Sequence, residues 1–377
     1  MRRLGLILVV LACLASWSAQ ATAAGQHRAY AARAVLVADG PSGDILYEEN
    51  ADRRLAMASI TKLMTALIVV AHAKPNEVVA VDSDAVGVTG STIRLRAGER
   101  MRVRELMAAA LIQSANDSAV ALGEFVETRV GAPFPELMNN TAESIGLENT
   151  RFVRPDGLDV PGHYSSAWDV TRLSLVAMRE PIIRTLVRQE SAAITGGRTL
   201  HTWNDLLGEF PGAFGVKTGH TTAAGWNQVA AARGNGVTIY ATILGSPSRS
   251  VRNADLEELL AWGMSRYALV QLAPAGRIYG RVPVTYGEDA VPVVAARPLR
   301  RAVRIGRPLE QRVVLPNLAE LPVRRGDALG ELRVYERRRL IGRSPLVAAE
   351  DREAPSAVDR VRWYASRTVS HIGGWLG

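Results

Sequence analysis

The spacing of apolar and polar positions changes several times along the chain. Residues 34–39 and 44–48 are short β-prone runs separated by Gly40-Pro41-Ser42-Gly43, which predicts a hairpin. Residues 59–70, opening Ser59-Ile60-Thr61-Lys62, are apolar nearly all round and predict a helix buried on every side. Residues 101–121 carry a helical period that breaks at 113–117, where small and polar residues predict a loop; further helices are expected at 134–145 and 167–178. The period then shortens. Residues 215–219, 226–232 and 237–244 read as strands, with Gly234-Asn235-Gly236 turning between the last two. A helical stripe of Leu256, Leu259, Leu260, Met264 and Tyr267 follows. Strands at both ends around a helical middle predict, for residues 34–268, an α+β domain whose sheet joins its two ends.

From 274 to 348 the runs are short, alternating and punctuated by Gly and Pro, which predicts a small all-β domain. Residues 350–356 form a polar linker. Beyond it Val358, Val361, Ala365, Thr368, Val369, Ile372 and Leu376 recur at steps of three and four, with Trp363, Tyr364 and Trp375 beside the stripe. This pattern predicts an amphipathic C-terminal helix lying on a membrane surface, the alternative being a helix docked on its own protein. At the other end Arg2-Arg3, an apolar run from Leu4 to Leu14 and Ala21-Thr22-Ala23-Ala24 have the layout of an export signal cleaved near Ala23 or Ala24. An uncleaved anchor, or a lipobox ending at Cys13, would be the other uses of that run. The expected division is a signal at 1–24, a first domain at 25–269, a β-rich domain at 270–349, and a linker with helix at 350–377.

Composition narrows the chemistry. Of 377 residues 47% are hydrophobic and 22% charged, as in a folded protein too long for one average domain. The single cysteine, Cys13, lies in the leader, which excludes disulfide scaffolds, zinc ribbons and thiol nucleophiles from the mature chain. No His-Glu-x-x-His or His-x-x-x-His pairing occurs, so no metal and no cofactor is expected. The net charge of +8 is uneven: residues 25–269 carry 24 basic against 26 acidic groups, whereas 270–349 carry 15 against 7. With export expected and no aromatics interleaved in the basic segment, nucleic acid is not an expected partner; an anionic envelope surface fits better.

The 45 basic residues comprise 42 arginines and three lysines, Lys62, Lys74 and Lys217. In a chain that uses arginine for plain positive charge, a retained lysine is a candidate for losing its proton, which arginine cannot do. Ser59 and Lys62, three apart at the start of a buried helix, share one face of its first turn and could act as nucleophile and base. A Ser-x-x-Lys pair alone is weak, since a capping serine beside a snorkelling lysine has the same spacing. Ser114-Ala115-Asn116 begins 55 residues after Ser59, and Lys217-Thr218-Gly219 begins 101 residues after Asn116. Two of the three lysines therefore fall inside motifs.

These three motifs together resemble the penicillin-recognising serine enzymes, whose Ser-x-x-Lys, Ser-x-Asn and Lys-Thr-Gly elements line one cleft between a helical subdomain and a sheet edge. Their surroundings, among them Leu111-Ile112-Gln113 before Ser114 and His220-Thr221 after Gly219, are similar to the low-molecular-mass D-alanyl-D-alanine carboxypeptidases. Phe214 and Met57 depart from that pattern. The resemblance implies a β-lactamase/transpeptidase-like catalytic domain, with an antiparallel sheet flanked by helices, followed by the small β domain and the amphipathic helix. It implies that Ser59 attacks the carbonyl between two D-alanines and that Lys62, its pKa lowered by Lys217 and partial burial, takes the proton. By the same resemblance Ser114 relays a proton to the leaving D-alanine and Asn116 holds the acyl amide. Lys217, Thr218 and Arg252 receive the terminal carboxylate, and the backbone N–H groups of Ser59 and His220 form the oxyanion hole. The implied partners are peptidoglycan pentapeptide stems, β-lactam inhibitors and the periplasmic face of the inner membrane. Alternatives are a D,D-endopeptidase, a β-lactamase, and an idle peptidoglycan-binding scaffold.

Overall fold

The computed structural model describes residues 30–286 and 290–363. The chain divides into two compact units, with the break between Arg266 and Tyr267. The first begins with the hairpin β1 (Ala34–Asp39) and β2 (Ile45–Glu49), then α1 (Lys62–His72), β3 (Val78–Ala80), α2 (Ser83–Val86) and β4 (Arg100–Arg102). Helices α3 (Val103–Leu111), α4 (Asn116–Val130), α5 (Phe134–Ser144), α6 (Ala167–Ala177) and α7 (Pro181–Leu186) make up its middle. Strands β5 (Ser191–Ile194) and β6 (Arg198–His201) pair with each other, and α8 (Leu206–Glu209) leads into β7 (Ala213–Thr221), β8 (Gly225–Gly234) and β9 (Val237–Ser246), with α9 (Arg249–Ser265) last.

The main sheet is antiparallel in the order β2-β1-β9-β8-β7, so the first strand of the unit pairs with the last, Val37 opposite Ala241. All six residues of β1 and all ten of β9 are buried, because both faces of the sheet are covered. On one face α9 lies so close that a Cβ on Gly263 would meet Ile239 Cγ2 at 2.7 Å and Val37 Cγ1 at 3.1 Å. On the other face α6 contributes Thr171, whose hydroxyl lies 2.6 Å from that of Thr242, and the helical cluster buries Leu63, Met64, Ile68 and Val69 of α1. The all-round apolarity of 59–70 thus reflects a helix enclosed by other helices and the sheet. Two expectations need correction. Asn116 and Asp117 belong to α4 rather than to the loop before it, and Tyr267 is not part of the α9 stripe but opens β10, paired with Arg304.

The second unit contains β10 (Tyr267–Ala273), β11 (Ile278–Pro283), β12 (Ala290–Ala295), β13 (Leu299–Arg304), β14 (Leu309–Val314), β15 (Ala328–Glu336) and β16 (Arg339–Ala348). Five form a sheet in the order β11-β12-β16-β15-β14, and β10 pairs with β13. Alternation decides its inside: Leu332 and Val334 are buried while Arg333 between them is exposed, and Gly342, Ser344, Leu346 and Ala348 point in from β16. Residues 357–363 are helical, with Val358 and Val361 exposed and the Trp363 ring edge-on to Tyr286 at 5.4 Å. The remainder of the amphipathic stretch and the whole signal segment lie outside the described residues.

Candidate active site

The turn that carries Ser59 is held under strain. Ala58 takes a φ of +50°, a left-handed value costly for a residue with a Cβ, in a 3-10 turn (Ala58–Thr61) that precedes α1. Ser59 therefore sits in this tighter turn, and only Lys62 opens the α-helix. Thr61 Oγ1 donates to Ala58 O at 2.8 Å and lies 2.8 Å from His163 Nε2. The Val153 N–H donates to His163 Nδ1 at 3.0 Å, which leaves the ring proton on Nε2, pointing at Thr61. Burial pulls the His163 pKa down to about 4, so it stays neutral and structural. Two glycines let the surrounding chain approach: a Cβ on Gly157 (φ +83°) would lie 2.2 Å from Ala58 O, and one on Gly219 would lie 2.9 Å from Met57 O and 3.0 Å from Ser59 N. The glycine of Lys-Thr-Gly is thus what allows β7 to run beside the Ser59 N–H.

Lys62 is fully enclosed, and its Nζ contacts Ser59 Oγ at 2.8 Å, Asn116 Oδ1 at 2.7 Å and the Asp156 carbonyl at 2.5 Å. Desolvation lowers its pKa to about 7; the Asp156 carboxylate works against this and the Arg154 guanidinium with it. Burial is complete rather than the partial burial expected from the sequence, and Arg154, which ion-pairs with Asp156, is a further cation acting on Lys62. Repulsion between the two lysines works on both of them, and for Lys217 burial first, then Lys62 and Arg252, hold it well below the ordinary lysine value.

Lys217 Nζ donates to Ser114 Oγ and to Thr218 O, both at 2.9 Å. Ser114 itself has a φ of +64° in the loop between α3 and α4. That loop is pinned from several sides: Ser91 Oγ and Trp203 Nε1 both donate to Gln113 O, and Asn116 Nδ2 donates to Thr89 O at 2.7 Å. The buried Asp117 carboxylate accepts the Ile93 and Leu95 N–H groups and so holds the 91–95 segment against the start of α4.

A cavity of about 310 Å³ opens over these groups. Ser59, Ser114, Asn116, Thr218, His220 and Arg252 line it, while Lys62 and Lys217 lie behind its wall and touch it through the hydroxyls they contact. All eight residues singled out in the sequence are thereby brought to one place. Arg252 is 1% exposed and not a solvated helix-start arginine. Its guanidinium donates to Asn253 Oδ1 and reaches Asp205 Oδ2 at 3.5 Å, and it lies 5.8 Å from the Trp226 ring centroid. Burial lowers even this guanidinium to about 10, Asp205 opposing. The His220 ring stacks on Trp226, centroids 4.0 Å apart.

Sequence reasoning gave no role to Asp156, Gly157, His163 or the aromatic walls Trp203 and Trp226. Asp156 acts through its backbone carbonyl and His163 through Thr61, so neither leaves a side-chain signature in a motif. No group of three or more His, Cys, Asp or Glu side chains that could hold a metal converges among the described residues.

The site thus joins a hydroxyl on a strained turn, hydrogen-bonded to a buried amine whose pKa lies near 7, to a second Ser–Lys pair. Residues 19–248 match the family described as D-alanyl-D-alanine carboxypeptidase, and residues 267–354 match the C-terminal domain of penicillin-binding protein 5. The chain belongs to the D-alanyl-D-alanine carboxypeptidase family, the serine-type hydrolases of the low-molecular-mass penicillin-binding proteins. It is 30% identical over 358 residues to the D-alanyl-D-alanine carboxypeptidase DacD of Escherichia coli, covering 87% of this chain and 89% of that one. It is 28% identical to DacF of Bacillus subtilis, over 86% of each. Among solved structures, penicillin binding protein 5 from Haemophilus influenzae superposes with a TM-score of 0.63 at 26% identity, over 87% of this chain and 99% of that one. Penicillin-binding protein D2 from Listeria monocytogenes in its ampicillin-bound form gives 0.58 at 31% identity, over 63% and 99%.

Proposed function

We propose that the protein removes the terminal D-alanine from peptidoglycan pentapeptide stems through an acyl-enzyme on Ser59. The observation that carries this reading is the 2.8 Å contact between Lys62 Nζ and Ser59 Oγ, with the amine desolvated to a pKa of about 7. A large fraction of Lys62 is then the free base at neutral pH, able to take the hydroxyl proton as Oγ attacks the D-Ala-D-Ala carbonyl. Negative charge on that carbonyl oxygen meets the N–H groups of Ser59 and His220, which Gly219 leaves unobstructed. Asn116 holds the acyl amide and orients Lys62. Ser114 passes its proton to the departing D-alanine nitrogen as the C–N bond breaks and is reprotonated by the one Lys62 took from Ser59, which returns Lys62 to the free base, while Lys217, which donates to Ser114 Oγ, keeps that hydroxyl aligned. Lys217, Thr218 and Arg252 face the terminal carboxylate. Water then attacks the ester carbonyl, giving up a proton to Lys62, and Ser59 leaves with one.

β-Lactams would acylate the same serine. Residues 1–24 would direct export and be removed, and the tail at 350–377 would hold the enzyme peripherally on the periplasmic face of the inner membrane; no described helix is long and apolar enough to cross one. The test is to incubate the mature protein with a pentapeptide ending in D-Ala-D-Ala. One D-alanine released per peptide, lost in Ser59→Ala, supports the assignment. Absence of both D-alanine and a covalent penicillin adduct overturns it.

A further inference from the structure

At the other end of the strands that carry the active site lies a second cavity, of about 340 Å³. It is lined where β7 begins (Phe214), β8 ends (Arg233) and β9 begins (Thr238, Tyr240), whereas the catalytic cleft takes Thr218 to Thr221 and Trp226 from the opposite ends. The Gly40–Gly43 turn and the segment from Met178 to Arg188 close its sides.

Its chemistry is one-sided. Arg179, Arg184, Arg188 and Arg233 line it, no carboxylate does, and among the described residues none of the four forms an ion pair. Three are oriented by uncharged neighbours. Arg184 Nη1 donates to Met178 O at 2.9 Å, Arg233 Nε donates to Thr238 Oγ1 at 3.1 Å, and the Arg188 guanidinium lies 5.1 Å from the Phe214 ring centroid. Tyr240, 5% exposed, lines the same cavity, and its hydroxyl makes no hydrogen bond within the described protein. The ring is fixed edge-on to Phe214 at 6.2 Å and against Gly40, where a Cβ would lie 2.9 Å from its Cε2. Burial pushes the phenol up to about 12 although Arg233, Arg188 and Arg184 all pull it down. It is therefore a donor at every physiological pH, and the three guanidiniums are near enough to act on it.

With no protein acceptor, the Tyr240 hydroxyl opens into the cavity and is free to donate to a ligand there. Guanidinium groups with no counter-charge in a catalytic unit that is otherwise slightly acidic also call for an anion. A single carboxylate would leave most of the positive charge unanswered, whereas a dianionic phosphate offers several acceptor oxygens at once. Leu175, Met178 and Phe214 supply apolar wall for an organic body beyond it.

We infer that this arginine-lined cavity binds a phosphate monoester, whose oxygens accept from Tyr240 Oη and from the guanidiniums of Arg184, Arg188 and Arg233. The phosphate could belong to a soluble molecule or to an envelope lipid, and the site is independent of the proposed catalytic reading. Titration calorimetry of the full mature protein with glycerol 3-phosphate, and sedimentation with phosphatidic acid vesicles against phosphatidylcholine vesicles, distinguish the two sources. Saturable one-to-one binding is expected with one or both phosphate probes. Tyr240→Phe, which keeps the packing, should weaken it about tenfold, the value of one hydrogen bond to a charged group. Arg188→Gln with Arg233→Gln should weaken it further, and Arg300→Gln with Arg301→Gln on β13 should change nothing. The inference fails if neither probe binds saturably, or if binding survives Tyr240→Phe and Arg188→Gln/Arg233→Gln unchanged. It fails equally if binding falls with the β13 pair, which would mark general attraction to the basic domain.

Discussion

Gly157 has no room for a side chain because its Cα faces the carbonyl of Ala58: a Cβ would lie 2.2 Å from that oxygen and 2.8 Å from Thr61 Oγ1. The strained residue before the nucleophile and the loop that gives Lys62 its carbonyl partner at Asp156 are thus locked together. Gly157→Ala adds a backbone clash to an unfavourable φ of +83° and must push the two apart. Acylation by a labelled penicillin should fall at least about a hundredfold, the scale of a misplaced reacting group. The thermal midpoint should drop as well, but the fold should persist by circular dichroism. A variant acylating at the parent rate would show that this contact does not set the position of Ser59.

Lys62→Arg should abolish acylation to nearly the level of Ser59→Ala, because a guanidinium stays protonated while keeping the charge. Loss of a general base is worth about 10²–10⁴ in rate. Lys217→Arg should be milder, since a cation facing a carboxylate survives the change. Stopped-flow acylation of both variants separates the two lysines.

The acylation rate should rise with pH through the Lys62 pKa of about 7 and level off above it. Stability follows the same groups. For His163, about 4 in the fold against an ordinary 6.5, the unfolded chain binds the proton first, so stability is lost as pH falls from about 6.5 towards 4. His163→Gln should flatten that part of the thermal-midpoint profile. It should also cost about 1–3 kcal/mol at pH 8 if it leaves the Val153 N–H unpartnered. An unchanged acid limb in the variant would place the titrating group elsewhere.

Arg252→Ala should reduce kcat/KM about 10–100-fold on a peptide with a free terminal carboxylate, by removing a charge-assisted hydrogen bond. The same variant should act on the corresponding C-terminal amide as the parent does. Asp205 retains Arg249 as its ion-pair partner, so the fold should tolerate the change. Equal losses on acid and amide would mean that Arg252 serves the architecture of the cleft only.

Ending the chain at Glu353 should move the protein from the membrane fraction to the soluble fraction with full activity on a soluble pentapeptide. Trp363 meets Tyr286 of the β unit while Val358 and Val361 stay exposed, so these valines and the residues beyond Trp363 would supply the membrane contact. If the shortened protein still sediments with membranes, the basic β unit or an uncleaved leader holds it there.

Much of this protein could be read along one dimension. Strands announce themselves by local period and by turns such as Gly234-Asn235-Gly236, and the buried α1 by having no polar side. The three motifs were legible because their chemistry rests on side-chain identity, and lysine scarcity set Lys62 and Lys217 apart. What tertiary structure alone decided is whatever acts through backbone or through space. The Asp156 carbonyl on Lys62, the left-handed Ala58 and Ser114, and the Thr61–His163 contact spanning 102 residues depend on where distant segments cross. The same holds for pKa: sequence could name Lys62 as a base, but only enclosure from every side, which removes the water that would solvate its charge, brings it to about 7. Desolvation belongs to the fold as a whole, and no local pattern of residues encodes it.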